Sequence, residues 1–343
     1  MIEISDLSYR YPGGEHAALD AVSVSASEGS VTVVAGESGS GKTTLLRLVA
    51  GFQAPESGTI RIGGATMSES GRIVVPEERQ VGVVFQDFAL FPHLTVERNV
   101  AFGISRLPRE ARARRVRECI ELLGIGHLAA RYPHELSGGQ AQRVAIARAI
   151  APAPRVIAMD EPFNNLNVAL RHELVPVVAR VLRATGITAI VVTHDPHEAY
   201  ELADRMILLK DGRVEQTGRP SDLYEAPATR YVAHFFGPVN EVPLGSPLGA
   251  RIAGHGLPRI AGDTIVLRPE RISLCDRGYA VAEAVVDEVR FAGDHLIVEL
   301  TGEWEGRLRA HLAKTEVSVG ARVGLSIDGR VGATAGTEAA RGA

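Results

Sequence analysis

The run GESGSGKT at residues 36–43 carries the residue types that hold a phosphate chain. Gly36, Gly39 and Gly41, with Ser38 and Ser40 between them, let successive backbone N–H groups curl around an anion, and a helix behind them adds the positive end of its dipole. Lys42 then supplies a cation for the β- and γ-phosphates, and the Thr43 hydroxyl a ligand for magnesium. An apolar, β-branched run (Val31, Val33, Val34) precedes the loop; Thr44, Leu45, Leu46, Leu48 and Val49 follow it. Strand, loop and helix in that order make a P-loop, with ATP and Mg2+ as its expected ligands and Thr44 as the last member of the phosphate-binding set.

Two carboxylates stand where such a loop needs them. Asp160 and Glu161 close the apolar run 156–159, at the carboxyl edge of a sheet, which is where open α/β sheets bind ligands. Asp160 fits the acid that holds magnesium, and Glu161 the base that polarises the attacking water. Neighbours on a strand point to opposite faces, so both can act only if the chain turns at once, and Pro162 is placed to turn it. His194 ends a second such strand in IVVTHDP, with Asp195 and a helix beginning near Pro196 behind it. An acidic turn or a lone histidine is ordinarily a solvated surface group; the strand-end positions downstream of a P-loop point to catalysis.

A second glycine-rich loop, LSGGQ at residues 136–140, has no cation and no catalytic side chain. Ser137 reads as a helix N-cap, and Gly138 and Gly139 leave the first N–H groups of a helix over residues 140–150 open to an anion. Alone, GG before a helix is a tight turn. With the whole pentapeptide downstream of a P-loop, the chain resembles the ABC transporter ATPases, whose signature loop is LSGGQ. The resemblance implies a head-to-tail homodimer in which Ser137, Gly138, Gly139 and Gln140 of one copy close over the ATP of the other. It also implies that His194 contacts the γ-phosphate and that Gln86, in VFQDFALFPHLTV, meets magnesium and water and senses a membrane partner. Tyr11 matches the family's adenine-stacking aromatic, although Tyr9 is close by and either ring could be core. One stretch departs from the family: PFNNLNVALR has Asn167 where an aspartate is usual and Asn164 where a serine or alanine is usual. Asparagine keeps the hydrogen bonding and loses the charge, so turnover slower than in Asn167→Asp is expected.

The elements that must position these groups follow from hydrophobic spacing. Short apolar strands alternate with glycine turns to about residue 82. A helical insertion, about residues 86–155, is expected next, with Val116, Ile120, Leu122, Leu123, Ile125 and Leu128 lining one side of a helix and its exit. Strands follow at 156–159, 187–192 and 206–209, with a helix over 167–185 in which Pro176 should break a hydrogen bond and kink the axis. Strand–helix–strand repetition implies a largely parallel sheet with helices on its faces, so the fold class is α/β, a P-loop NTPase domain over residues 1–236. From residue 237 to 330, Gly and Pro recur between β-branched runs at 264–267, 280–289, 295–300 and 322–327, which implies a small β-barrel. This part resembles the TOBE domain of importer ATPases, an OB-like fold, with LRPERISL (residues 267–274) the clearest segment. Residues 331–343 have too little apolar surface to pack and read as a disordered tail.

Composition closes off several classes. No apolar run approaches the roughly 20 residues that span a bilayer, and the N-terminus lacks the charged and apolar regions of a signal peptide. Cys119 and Cys275 lack both disulfide and zinc spacing. The net charge of −4 gives no footprint for nucleic acid. The resemblance therefore implies a separate ATPase subunit, peripheral on the cytoplasmic face of the inner membrane, bound to membrane permease subunits and served indirectly by an extracytoplasmic solute-binding protein. ERQVGVVFQDFALFPHLTV and GIGHLAARYPHELSGGQ are most similar to the ferric iron ATPases of the FbpC type. A polyamine, thiamine or sulfate importer is the alternative, and an ABC ATPase acting on ribosomes or DNA the alternative of another class.

Overall fold

The computed structural model describes residues 1–313 and 316–328, so the expected tail at 331–343 and the end of the C-terminal domain lie outside it. Two compact units divide between Asp222 and Leu223.

Unit 1 opens with β1 (Ile2–Tyr9), β2 (Leu19–Ala26) and β3 (Val31–Ala35), then α1 (Lys42–Ala50), β4 (Ser57–Ile62), β5 (Ala65–Glu69), β6 (Arg72–Ile73) and β7 (Val81–Val84). The helical insertion follows as α2 (Val96–Ala101), α3 (Arg109–Leu122) and α4 (Gly138–Ile150). The unit closes with β8 (Val156–Asp160), α5 (Val168–Thr185), β9 (Thr188–Thr193), α6 (Pro196–Leu202), β10 (Arg205–Lys210) and β11 (Arg213–Gly218). Five strands, in the order β2-β1-β4-β5-β6, form an antiparallel sheet; six, in the order β11-β10-β3-β9-β8-β7, form a sheet that is parallel except at β11. Every residue of β3 and β9 is buried, as expected of central parallel strands covered on both faces. The core places α1 between the two sheets: Leu45, Leu46, Leu48 and Val49 pack with Ile2 and Ile60 of one sheet and Val34, Val156 and Val192 of the other.

Sequence spacing and structure differ at a few points. Leu122 is exposed, because α3 ends there and the buried side is carried by Val116, Cys119 and Ile120, with Leu123, Ile125 and Leu128 beyond the helix end. α5 remains one helix from Val168 to Thr185 with Pro176 inside it, the proline supplying no N–H to its ladder. α4 begins at Gly138, two residues early, because Ser137 and Gln140 form a reciprocal capping box: Gln140 N–H donates to Ser137 Oγ (3.4 Å) and Ser137 N–H to Gln140 Oε1 (3.0 Å).

A short helix, α7 (Pro220–Glu225), spans the division. Unit 2 holds α8 (Arg230–Phe235), β12 (Asn240–Pro243), α9 (Pro247–Ile252), β13 (Arg259–Ile260), β14 (Thr264–Leu267), β15 (Ile272–Cys275), β16 (Ala282–Phe291), β17 (Leu296–Gly302), β18 (Trp304–Leu312) and β19 (Arg322–Ile327). A three-stranded sheet, β12-β14-β13, accompanies a five-stranded antiparallel one, β15-β19-β16-β17-β18. The buried Asn240 staples the two: its Nδ2 donates to Leu267 O (3.1 Å) and Arg309 O (2.8 Å), and its Oδ1 accepts from Arg309 N–H (2.7 Å). β18 has no continuous apolar run, because its buried Leu308, Ala310 and Leu312 alternate with Arg307, Arg309 and His311.

Candidate active site

The loop between β3 and α1 is shaped by glycines that no other residue could replace. Gly36 and Gly41 have φ of 149° and 101°, and a Cβ on either would come within 2.3 Å of Leu209 O and 2.4 Å of Ala18 O respectively. Gly41 caps α1 with no side-chain hydrogen bond, which leaves the helix N-terminus open to an anion. Ser40 Oγ is buried and makes no hydrogen bond. Lys42, 4% exposed, donates to its own loop carbonyls, Gly36 O (2.8 Å) and Glu37 O (2.7 Å). Burial pushes its ammonium pKa down, while the carboxylates of Glu161, Asp160 and Glu37 pull it up. A buried lysine folded onto carbonyls, beside open helix N–H groups, is a cradle for a phosphate.

Parallel pairing of β7, β8, β9, β3 and β10 brings the other candidates to the same sheet edge. Thr43 Oγ1 donates to Asp160 Oδ1 (3.0 Å). Burial raises the Asp160 pKa, the Thr43 hydrogen bond lowers it and the Glu161 carboxylate raises it again. A hydroxyl and a desolvated carboxylate in contact are hard oxygen donors of the kind magnesium takes, so the residues present fit that ion. Tyr11 OH shares a hydrogen bond with Thr44 Oγ1 (3.0 Å), and its ring meets Tyr9 edge-on at 5.0 Å; Tyr11 is the exposed one of the two.

Glu161, in the left-handed region (φ 42°), opens the chain reversal, and Pro162 is the second residue of the turn that completes it. The Glu161 N–H donates to Val192 O (3.0 Å), and Asn164 N–H closes the turn on Glu161 O (3.2 Å). Its two carboxylate oxygens then have separate partners: Asn164 Nδ2 donates to Oε2 (2.9 Å), and His194 Nδ1 lies 3.4 Å from Oε1. Gln86 follows β7 with its side chain exposed, and its carbonyl accepts from Asn165 Nδ2 (3.1 Å). Beyond it, the buried Asn99 holds Phe91 and Leu94 by their backbones.

The structure thus brings Tyr11, the residues of the 36–44 loop, Gln86, Asp160, Glu161 and His194 to one edge. It keeps Ser137–Gln140 apart: their side chains are spent on each other, and the cavity of about 230 Å³ beside them is lined by Ile125, Arg143, Leu170 and Glu173 among others, with none of residues 36–44. A larger concavity of about 960 Å³ opens at the opposite, amino-terminal edge of the strands, near Arg155 and Thr188, away from every candidate residue. Sequence reading missed Asn165, Arg171, Thr193 and Glu198, which surround the site. Arg171 lies one turn into α5 after its N-cap Asn167, and Glu198 lies in the first turn of α6, just behind the loop that carries His194.

The family profile described as "ABC transporter" matches residues 19–164, and "TOBE domain" matches residues 265–333. The chain is 44% identical over 282 residues to the Fe(3+) ions import ATP-binding protein FbpC of Mesorhizobium japonicum, covering 80% of this chain and 77% of that one. It is 39% identical over 292 residues to the sulfate/thiosulfate import ATP-binding protein CysA 2 of Chromobacterium violaceum, covering 82% and 79%. Among solved structures, a dimeric, post-hydrolysis ATP-binding cassette bound to ADP and Pi superposes with a TM-score of 0.57 at 32% identity, covering 64% of this chain and 99% of the other.

Proposed function

Because this chain belongs to the ABC transporter family and carries the TOBE domain of its import ATPases, we propose that it is the ATP-hydrolysing subunit of a bacterial importer for ferric iron. It works as a head-to-tail dimer bound to membrane permease subunits, on the cytoplasmic face of the inner membrane. The observation that carries the ATPase reading is the edge where a buried Lys42, the Thr43–Asp160 pair and the Glu161–His194 pair converge. Ferric iron is supported by the FbpC relative; sulfate and polyamine import ATPases of comparable identity make those solutes the alternative.

The chemistry follows from the side chains. Lys42 exchanges its carbonyl partners for the β- and γ-phosphates, a charge-assisted contact far stronger than the one it gives up. Thr43 and Asp160, with Gln86 at the next strand end, would hold magnesium, which when bound would screen the phosphate charge against the attacking oxygen. Glu161 accepts the proton of the attacking water as the γ-phosphorus bond to ADP breaks, and His194 steadies the γ-phosphate. Tyr11 offers its exposed ring to adenine. Because Ser137–Gln140 cannot reach this edge in the same copy, their capped helix end acts on the ATP of a second copy. Glu161→Gln removes the base and keeps the turn, so with ATP it is expected to accumulate as a closed dimer. Size-exclusion chromatography checks this, and a monomeric mutant with ATP bound would refute the shared site.

The solute is tested by uptake of labelled ferric iron, spermidine and sulfate in cells lacking the native gene and supplied with this chain or its Glu161→Gln form. Iron uptake restored only by the unmutated chain is the expected result. Restoration of another solute instead would keep the ATPase and discard iron.

A further inference from the structure

Behind His194 lies a buried charge cluster that the reaction above does not use. The Thr193 hydroxyl donates to Glu198 Oε2 and accepts from Asp195 N–H (3.0 Å), so one oxygen ties the residues on both sides of His194. Asp195 caps α6 by accepting from His197 N–H (2.8 Å) and gives its other oxygen to Arg171 Nη1. Arg171 Nε lies 3.6 Å from Glu198 Oε1. Arg171 stands on α5 one turn after its N-cap, Asn167, so the cluster joins the loop that follows Glu161 to the loop that carries His194. Glu198 is 3% exposed, an expensive place for a carboxylate unless its charge has a use.

We propose that Arg171 and Glu198 are positioning residues that hold His194 at its working distance from the γ-phosphate. The proposal rests on the role given to His194 above. Burial raises the Glu198 carboxyl to about 7; the Thr193 hydrogen bond opposes this, the Asp195 carboxylate adds to it, and Arg171 and His194 oppose it. β3 and β9, against which α6 packs, bring no charged residue, and His172, His197 and Glu201 line the cavity on the open side. The charged form is the one that accepts from Thr193 and pairs with Arg171. Protonation below neutrality removes the charge that pairs with Arg171 and leaves Asp195 as its carboxylate partner, which loosens the tie between α5 and the loop that carries His194.

The test is steady-state ATP hydrolysis by the purified full chain between pH 6 and 8, comparing native, Glu198→Gln, Arg171→Met, Arg171→Lys, His194→Ala and Glu198→Gln combined with His194→Ala. The expected results are a kcat for Glu198→Gln about 10-fold below native at pH 8 and converging with it at pH 6, KM for ATP within about 2-fold, and partial recovery in Arg171→Lys relative to Arg171→Met. With His194 already removed, Glu198→Gln should cost nothing further, because its effect runs through the histidine. A native-to-Gln ratio constant across the pH range would overturn the proposal. So would a slow His194→Ala enzyme in which Glu198→Gln still costs about 10-fold, and that outcome would leave the histidine's role standing. A His194→Ala enzyme as fast as native would remove that role and the proposal together. Thermal melting of each variant separates loss of folded protein from loss of rate, and Glu198→Gln, being isosteric, carries the test if Arg171→Met does not fold.

Discussion

Asn167 stands at the meeting of capping and charge. Its side chain accepts from Leu170 N–H (2.9 Å) and caps α5. Aspartate caps equally well and adds a negative charge at the positive end of the helix, so Asn167→Asp is expected to leave stability unchanged or raise it by about 0.5 kcal/mol. An increase in turnover in that variant then reports coupling between the two ATP sites and not repair of the fold; an unchanged rate would show that the missing charge does not matter. Glu198 gives a second prediction at this scale. Its folded pKa near 7 lies above the ordinary 4.5, so its neutral form contributes stability that is fully present below about pH 4.5 and lost as the pH rises through 7. The span is about 3 kcal/mol. Urea titrations should show the native chain losing stability relative to Glu198→Gln between pH 5 and pH 8; a pH-independent difference would contradict it.

At the scale of elements, α1 depends on a residue far from the chemistry. Arg79, 1% exposed, donates to Leu48 O and Val49 O (2.9 Å each) at the C-terminus of α1, and to Val74 O, Met67 O and Ser68 Oγ in the antiparallel sheet. Burial lowers its pKa to about 10, yet the charge is retained at neutral pH and sits where the helix dipole is negative. The helix that begins with Lys42 is thus pinned at its far end to the second sheet. Arg79→Met removes all five of these bonds, leaving Leu48 O and Met67 O only the N–H groups of Gly51 and Val74, and is expected to cost about 3–5 kcal/mol, measured as a shift in urea midpoint. A loss under 1 kcal/mol would mean water replaces the guanidinium. The capping box of α4 works in the opposite sense: it fixes Ser137 and Gln140 to each other and leaves the backbone N–H groups of Gly138 and Gly139 as the part of that loop able to meet a ligand.

For the whole molecule, each unit has its own core: one gathers α1 between the two sheets of unit 1, the other collects Val242, Ile265, Ile272, Val286, Leu300 and Leu325 in unit 2. A unit with a core of its own can in principle unfold cooperatively by itself. Calorimetry of the full chain is expected to show two transitions. A non-hydrolysable ATP analogue with magnesium at 100 times its Kd should raise the one belonging to unit 1 by about 2.7 kcal/mol and leave the other unmoved. A single transition, or a ligand shift in both, would show the units unfold as one.

The sequence alone determined the local geometry: GESGSGKT after a β-branched strand, DEP and THD at strand ends, and LSGGQ before a helix each carry their shape within a few residues, so the positions of the P-loop, the acid pair, the histidine and the N-cap were legible with the α/β fold they imply. The hydrophobic period also located β3, β8, β9 and β10, because such strands are apolar on both faces, whereas the half-buried edge strand β7 carries no such run. What it could not supply were contacts between distant positions. The bond that ties Glu161, at the head of the Pro162 turn, to Val192 crosses between strands; Asn164 claims one of its oxygens; Arg79 crosses from one sheet to the end of α1; and Arg171 and Glu198 meet behind His194. These depend on which side chains the packing of α5, α6 and two sheets happens to bring within about 3 Å, a condition of tertiary geometry that no spacing along the chain encodes.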